Sequence, residues 1–168
     1  VNAALRPKLP YDPIKDLAPV AIVAKAPLVI VVNASSPHKD LASLLAAAKA
    51  APKTINYATF GSGSAPHLVG ALLEQTTGVR LQDVPYRGSA QAMMGLIGGE
   101  IQLAIDTVAS AGPHVCSGKL RALAIAGNDR SRALPTVPTV QELKLPDAAF
   151  DGWYAIAAPA RTPAAILA

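Results

Sequence analysis

Cysteine is nearly absent from this 168-residue sequence: Cys116 stands alone, so no intrachain disulfide can form. That excludes a disulfide-stapled scaffold and fits a cytosol as readily as a periplasm. Aromatic residues are scarce at 4%, with one tryptophan, and charged residues make up only 15%. The net charge of +4 comes from scattered side chains, among them Arg6, Lys8, Lys25, Lys39, Lys53 and Arg87. No basic run interleaved with aromatics occurs, so the footprint of a nucleic-acid binder is missing. The longest apolar stretch, around Ala26 to Val32, is too short to span a bilayer. No basic-then-apolar leader with a small-residue cleavage site opens the chain, which therefore reads as a soluble piece or a mature form. What is abundant is apolar residues, 51% of the chain, which argues against disorder. The length suits one good core and is too short for two large domains.

Five short apolar runs read as strands: Leu28–Val32, Ile55–Ala58, Leu81–Val84, Ile101–Ile105 and Leu120–Ile125. The first is apolar without alternation, as a central strand covered on both faces should be. Helical patterns lie between them. Leu41, Leu44, Leu45 and Ala48 form one apolar face behind a cap near Ser36 or Asp40. Leu68, Leu72 and Leu73 form a second, closed by Gly78, and Met93, Leu96 and Ile97 a third, closed by Gly98-Gly99. A short fourth helix is expected from Ala111 to Ser117. Strand and helix alternate, so the expected class is α/β, a doubly wound, mostly parallel sheet. The ends differ. Residues 1–25 carry Pro7, Pro10, Pro13 and Pro19 with little helical period, and the tail from Phe150 onward has Trp153 and Tyr154 before a short apolar run.

Two glycine-bearing loops stand out, each after a strand and before a helix. The first is Tyr57-Ala58-Thr59-Phe60-Gly61-Ser62-Gly63-Ser64-Ala65-Pro66-His67, the second Val84-Pro85-Tyr86-Arg87-Gly88-Ser89-Ala90. Helix starts present unpaired N–H groups and partial positive charge, so a small anion can rest there. On a parallel sheet both mouths open at the carboxyl edge, where α/β folds bind ligands. In the first, Ser64 is a suitable N-cap and Pro66 is tolerated in the first turn. Its expected donors are the amides of Gly63, Ser64, Ala65 and His67 and the hydroxyls of Thr59, Ser62 and Ser64. The alternative is an ordinary glycine-rich turn that binds nothing, and spacing alone leaves the two even. In the second, Ser89 is the expected cap, with the amides of Ser89, Ala90 and Gln91 outward. Tyr86 offers a hydroxyl and a flat face, and Arg87 either steers anions or faces solvent.

Other chemistry finds little support. Pro66 stands where a dinucleotide fingerprint needs its third glycine, and neither a P-loop nor a nucleophile elbow is present. The three histidines, His38, His67 and His114, lack ligand-spaced partners, so no metal site is expected. His67 reads more readily as a structural residue bonded to a neighbouring loop than as a base. Asp106, at the carboxyl end of its strand, either caps the next turn through Thr107 or Ser110 or accepts a hydrogen bond from a ligand. It has no carboxylate partner for paired acid–base work.

Several co-linear motifs together resemble one family. They are Tyr11-Asp12-Pro13-x-Lys15-Asp16-Leu17-x-Pro19-Val20; Asn56-Tyr57-Ala58 with Gly61-Ser62-Gly63-Ser64-x-x-His67-Leu68; Val84-Pro85-Tyr86-Arg87-Gly88-Ser89 with Ala92; and Ile105-Asp106. Leu120-Arg121-Ala122-Leu123-Ala124, Arg130-Ser131, Leu134-Pro135-x-Val137-Pro138-Thr139, Gly152-Trp153 and Ala158-Pro159-Ala160-x-Thr162-Pro163 continue the set. The chain thus resembles the substrate-binding receptors of tripartite tricarboxylate transporters, the Bug or TctC family.

That resemblance implies a type II periplasmic-binding-protein-like fold that closes by a hinge motion on an organic carboxylate in an interdomain cleft. The implied ligand is a di- or tricarboxylate, an acidic amino acid or an aromatic acid, delivered to transporter subunits in the membrane. It implies a periplasmic monomer with no cofactor, no metal, no nucleic-acid partner and no catalytic residues. The implied binding positions are Thr59, Ser62, Gly63, Ser64, His67, Gly88, Ser89 and Asp106. The implied organisation is one complete domain, 26–149, flanked by 1–25 and 150–168, which cross into another. The family's N-terminal strand with its Pro-x-Gly-Gly loop and its final helical portion are not in this sequence, so a fragment is expected. Phe60, where a small residue is common, and Pro66 are departures that bear on ligand size. The alternatives are an α/β-fold enzyme acting on a small acid through His67 or Cys116, and a pure interaction module.

Overall fold

The computed structural model describes residues 8–167; Arg6 and Pro7 of the 1–25 segment, and Ala168, lie outside the described residues. The chain divides into two units, one drawn from its two ends, up to Lys25 and from Trp153 onward, and the other spanning Ala26–Gly152. In the end-derived unit, β1 (Leu17–Lys25) pairs antiparallel with the last strand, β7 (Trp153–Pro159), from Leu17 opposite Pro159 to Lys25 opposite Trp153. The pairing is irregular between Pro19 and Ala21, where proline brings no N–H to the ladder. Periodicity did not reveal this ribbon, because its apolar residues do not alternate. Val20, Ile22, Val23, Trp153, Tyr154 and Ile156 are all exposed. The Tyr11–Asp16 motif ties itself into a turn: the Asp12 carboxylate accepts from the amides of Ile14 at 2.9 Å and Lys15 at 3.2 Å, and Asp16 accepts the Asp12 amide at 2.7 Å.

The larger unit is α/β. Its elements run β2 (Leu28–Asn33), α1 (Leu41–Ala50), β3 (Asn56–Thr59), α2 (Ala65–Thr77), β4 (Gln82–Pro85), α3 (Ser89–Gly98), β5 (Leu103–Thr107), α4 (Val108–Cys116) and β6 (Leu120–Ile125). The strand order is β4-β3-β5-β2-β6. β3, β4 and β5 are parallel, while β2 runs antiparallel to both β5 and β6, so the sheet is mixed, with four strands in one direction. β2 starts at the carboxyl edge: Leu28 lies opposite Thr107, and the Ala26 amide donates to the Gly152 carbonyl at 2.8 Å. A β-carbon at Gly152 would come within 2.4 Å of the Ala26 carbonyl oxygen, so this approach requires glycine.

β2 is central, as its unbroken apolar run requires, with Val29 to Val32 wholly buried. Leu28, Ile30 and Val32 pack on one face with Leu41 and Leu44 of α1 and Val69 and Leu73 of α2. Val29 and Val31 pack on the other with Ala92, Met93 and Leu96 of α3 and Val108 and Ala111 of α4. Each face thus carries two helices. α1 begins at Asp40, whose carboxylate accepts the Ser43 amide at 2.7 Å. Gly78 and Gly99, in left-handed conformation, end α2 and α3.

Candidate functional site

β3 and β5 are neighbours, yet the helices that follow them lie on opposite faces of the sheet. Such a switch opens a crevice beyond the carboxyl ends of the strands. Thr59 ends β3 and Asp106 lies one residue before the end of β5, so both flank it. The strand over 101–105 expected from the sequence is shifted to 103–107, because Gln102 is engaged with Asn56 across the sheet. Asp106 therefore lies inside the strand.

The first mouth is built by local contacts. Gly61 and Gly63 have φ of +95° and +81°, the left-handed region where a side chain is strained. Ser64 is the N-cap by position, but its hydroxyl does not cap the helix as expected. It donates to the Gly61 carbonyl at 2.7 Å and accepts the Phe60 amide at 3.2 Å, closing its own turn. The Ser64 amide also goes to Gly61, at 3.2 Å, and the Gly63 amide goes to His67 Nδ1 at 3.4 Å. Three of the expected donors, the amides of Gly63 and Ser64 and the Ser64 hydroxyl, are thus engaged within the loop. His67 accepts at Nδ1 and is thereby bonded within its own loop. Left over are the first-turn amides of Ala65 and His67, which no helix can satisfy internally. Ser62 is exposed, and the Thr59 hydroxyl is fully buried with no hydrogen-bond partner among the described residues. Thr59 follows Tyr57 by two along β3, so it faces the side on which α2 packs. Phe60 forms an exposed rim.

The second mouth is built by distant contacts. The Tyr86 amide donates to the Thr59 carbonyl at 2.8 Å, binding the two loops at their roots. Gly88, not Ser89, is the N-cap of α3, and Ser89 is the first helical residue. The Ser89 hydroxyl turns inward, donating to Asp106 Oδ2 at 2.5 Å and touching the Ser110 hydroxyl. Asp106 is 4% exposed, and its other oxygen accepts the Thr107 amide at 2.7 Å. Burial raises its pKa above the ordinary aspartate value, against the lowering effect of the Ser89 and Thr107 bonds. Thr107 itself caps α4 by accepting the Ser110 amide at 3.3 Å. Tyr86 lies across Gly95, its hydroxyl 3.4 Å from Glu100, and so points along the helix. Arg87 is exposed.

The structure adds a third helix mouth that the sequence reading missed. α4 starts at Val108 rather than Ala111, and the Val108 amide is taken by the Pro27 carbonyl at 2.9 Å. Thr107-x-x-Ser110, a capping hydroxyl with its partner three residues on, was the available signal. Among the described residues no three histidine, cysteine or carboxylate side chains cluster as a metal site, and no helix is long and apolar enough to cross a membrane.

The model of the "Tripartite tricarboxylate transporter family receptor" family matches residues 2–168. The chain belongs to this receptor family. Among curated TctC-type relatives, Protein BugT of Bordetella pertussis is 38% identical over 99% of the chain, which covers 51% of BugT. An Agrobacterium vitis protein is 37% identical over 98% of the chain and 47% of its own length. The chain spans about half the length of the curated relatives it matches. A solved periplasmic transporter superposes with TM-score 0.91 at 39% identity, over 99% of this chain and 56% of that one. MatC of Rhodopseudomonas palustris, solved with bound malate, has TM-score 0.88 at 32% identity, over 99% and 56%. A second R. palustris protein, solved with adipate, has TM-score 0.87 at 32% identity, over 96% and 54%. The TctC fold expected from the motifs is thus the fold observed. The matched family is one of receptors, which speaks for the receptor expectation over an enzyme acting through His67 or Cys116.

Proposed function

We propose that the protein carrying this chain is a periplasmic solute receptor that binds a small organic carboxylate and delivers it to a tripartite tricarboxylate-type membrane transporter. In this reading residues 26–149 are one complete lobe of a two-lobed monomeric receptor, and 1–25 and 150–168 are its connections to the other lobe. The observation that carries it is the Thr59 hydroxyl, buried without a partner among the described residues, beside a helix start built by two left-handed glycines. A buried orphan hydroxyl is costly, and an oxygen atom arriving with a ligand, directly or through an ordered water, relieves that cost.

The binding positions then divide by role. Thr59, Ser62 and the amides of Ala65 and His67 hold one carboxylate. Gly63, Ser64 and the His67 ring shape that loop. Gly88 opens the second mouth, where the amides of Ser89 and Ala90 point outward, and Asp106 stands behind Ser89. The malate and adipate held by the two R. palustris proteins support a carboxylate as the ligand class.

Calorimetry on the full-length protein with malate, adipate, citrate, aspartate and benzoate tests the reading. At least one acid should bind saturably and be recovered unchanged. Gly88→Val, which puts a branched side chain into space that Gly88 leaves open, should weaken that binding about 100-fold with the fold intact. Unaltered affinity in both Gly88→Val and Thr59→Val would mean that the site lies elsewhere.

A further inference from the structure

We infer that Asp106 is a positioning residue that sets the hydrogen-bonding polarity of the α3 mouth: it draws the hydroxyl protons of Ser89 and Ser110 inward, leaving main-chain N–H groups as the donors and only lone pairs on the side chains. The inference deepens the receptor reading and rests on it for its ligand.

The argument is a count of protons. Each serine hydroxyl has one proton to give. That of Ser89 goes to Asp106 Oδ2 at 2.5 Å. The contact between the Ser89 and Ser110 hydroxyls also needs a proton, and only Ser110 can supply it. Protons therefore run in one direction, from Ser110 to Ser89 to Asp106. The remaining oxygen of Asp106 is held by the Thr107 amide, and the group is too buried for water to replace either partner. Both oxygens of this one carboxyl group therefore act as acceptors, one for Ser89 and one for Thr107. Ser89 and Ser110 are half-buried at the first turns of α3 and α4, so their oxygens border the edge while Asp106 stays behind them.

A serine in the first turn of an anion-holding helix would ordinarily give its hydroxyl to the anion. Here it cannot. The mouth has a donor half, the amides of Ser89 and Ala90, and an acceptor half, the oxygens of Ser89 and Ser110. A carboxylate with a hydroxyl or ammonium group on the neighbouring carbon satisfies both halves, and a plain carboxylate satisfies one. The assigned ligand class is therefore 2-hydroxy or 2-amino acids.

Two readouts on the full-length protein test this. By proton NMR, the wild type should show slowly exchanging, downfield hydroxyl protons assigned to Ser89 and Ser110, lost in Ser89→Ala and moved in Asp106→Asn. Absence of any protected hydroxyl in the wild type overturns the inference, whether or not a ligand binds. By calorimetry, malate and succinate differ by one hydroxyl, and the wild type should prefer malate. Asp106→Asn turns an N–H toward Ser89 and frees its proton for a carboxylate, so the preference should shrink about tenfold. Ser89→Thr, which keeps the hydroxyl, should retain the wild-type ratio. Equal weakening for both acids in Asp106→Asn marks a merely structural role and overturns the inference. Failure of the wild type to bind any acid would sink the receptor reading instead, and the hydroxyl signal would still decide this one.

Discussion

The two helix mouths at the carboxyl edge reach similar ends by different means. At the start of α2 the loop holds itself: Ser64 and His67 bond to Phe60, Gly61 and Gly63, all within a few residues. At the start of α3 the holding groups come from elsewhere in the chain, because Ser89 is fixed by Asp106 and Ser110 across the sheet edge. A locally held turn depends on backbone conformations that glycine permits. A tertiary-held turn depends on a buried carboxyl group and on the folding of its neighbours.

The largest break in this contrast should come from Asp106→Ala. It strands the Ser89 hydroxyl and the Thr107 amide in a buried place and should cost about 2–3 kcal/mol, read by urea unfolding of the full-length protein. A loss below half of that would show the cluster to be solvated. Next comes Gly63→Ala, which forces a side chain into a left-handed conformation and should cost about 1–2 kcal/mol, with a matching loss of carboxylate affinity. Ser64→Ala removes only the local closure of its turn. About 1 kcal/mol is expected, with Ser89-side selectivity untouched, so a change in the malate-to-succinate ratio would erase the distinction between the mouths.

The smallest effect is one of pH. Burial raises the pKa of Asp106, so the folded state holds that proton more tightly than the unfolded chain does. Its contribution to stability is greatest in acid and declines as pH rises from the ordinary aspartate range, about 3.9, through the raised value. Asp40, at the start of α1, has the opposite sign: the Ser43 amide lowers its pKa, so its contribution fades as pH falls. Comparing the pH dependence of unfolding for wild type and Asp106→Asn isolates the first, and an unchanged slope would contradict it.

Much of the molecule was legible in the residues. The unbroken Leu28–Val32 run pointed to a central strand, and Gly78 and Gly99 end helices where glycine was expected to. The antiparallel sense of β2 was not legible, since an apolar run carries no direction. Nor was the β1–β7 ribbon, whose partners lie at opposite ends of the chain. At the site, sequence pointed to both loops but overcounted their donors. A serine reads as a donor until the structure shows where its proton goes.

Sequence by itself determined where the chain turns and, to within a residue, where α1, α2 and α3 begin, because glycine freedom, capping hydroxyls and apolar period act over a few residues. Tertiary structure alone decided which amides and hydroxyls remain open, because Asp106, Ser89 and Ser110 meet only once strands from separate parts of the chain lie side by side. Hydrogen-bond donors are used up by whichever acceptor folding brings near, and that acceptor need not be close in sequence.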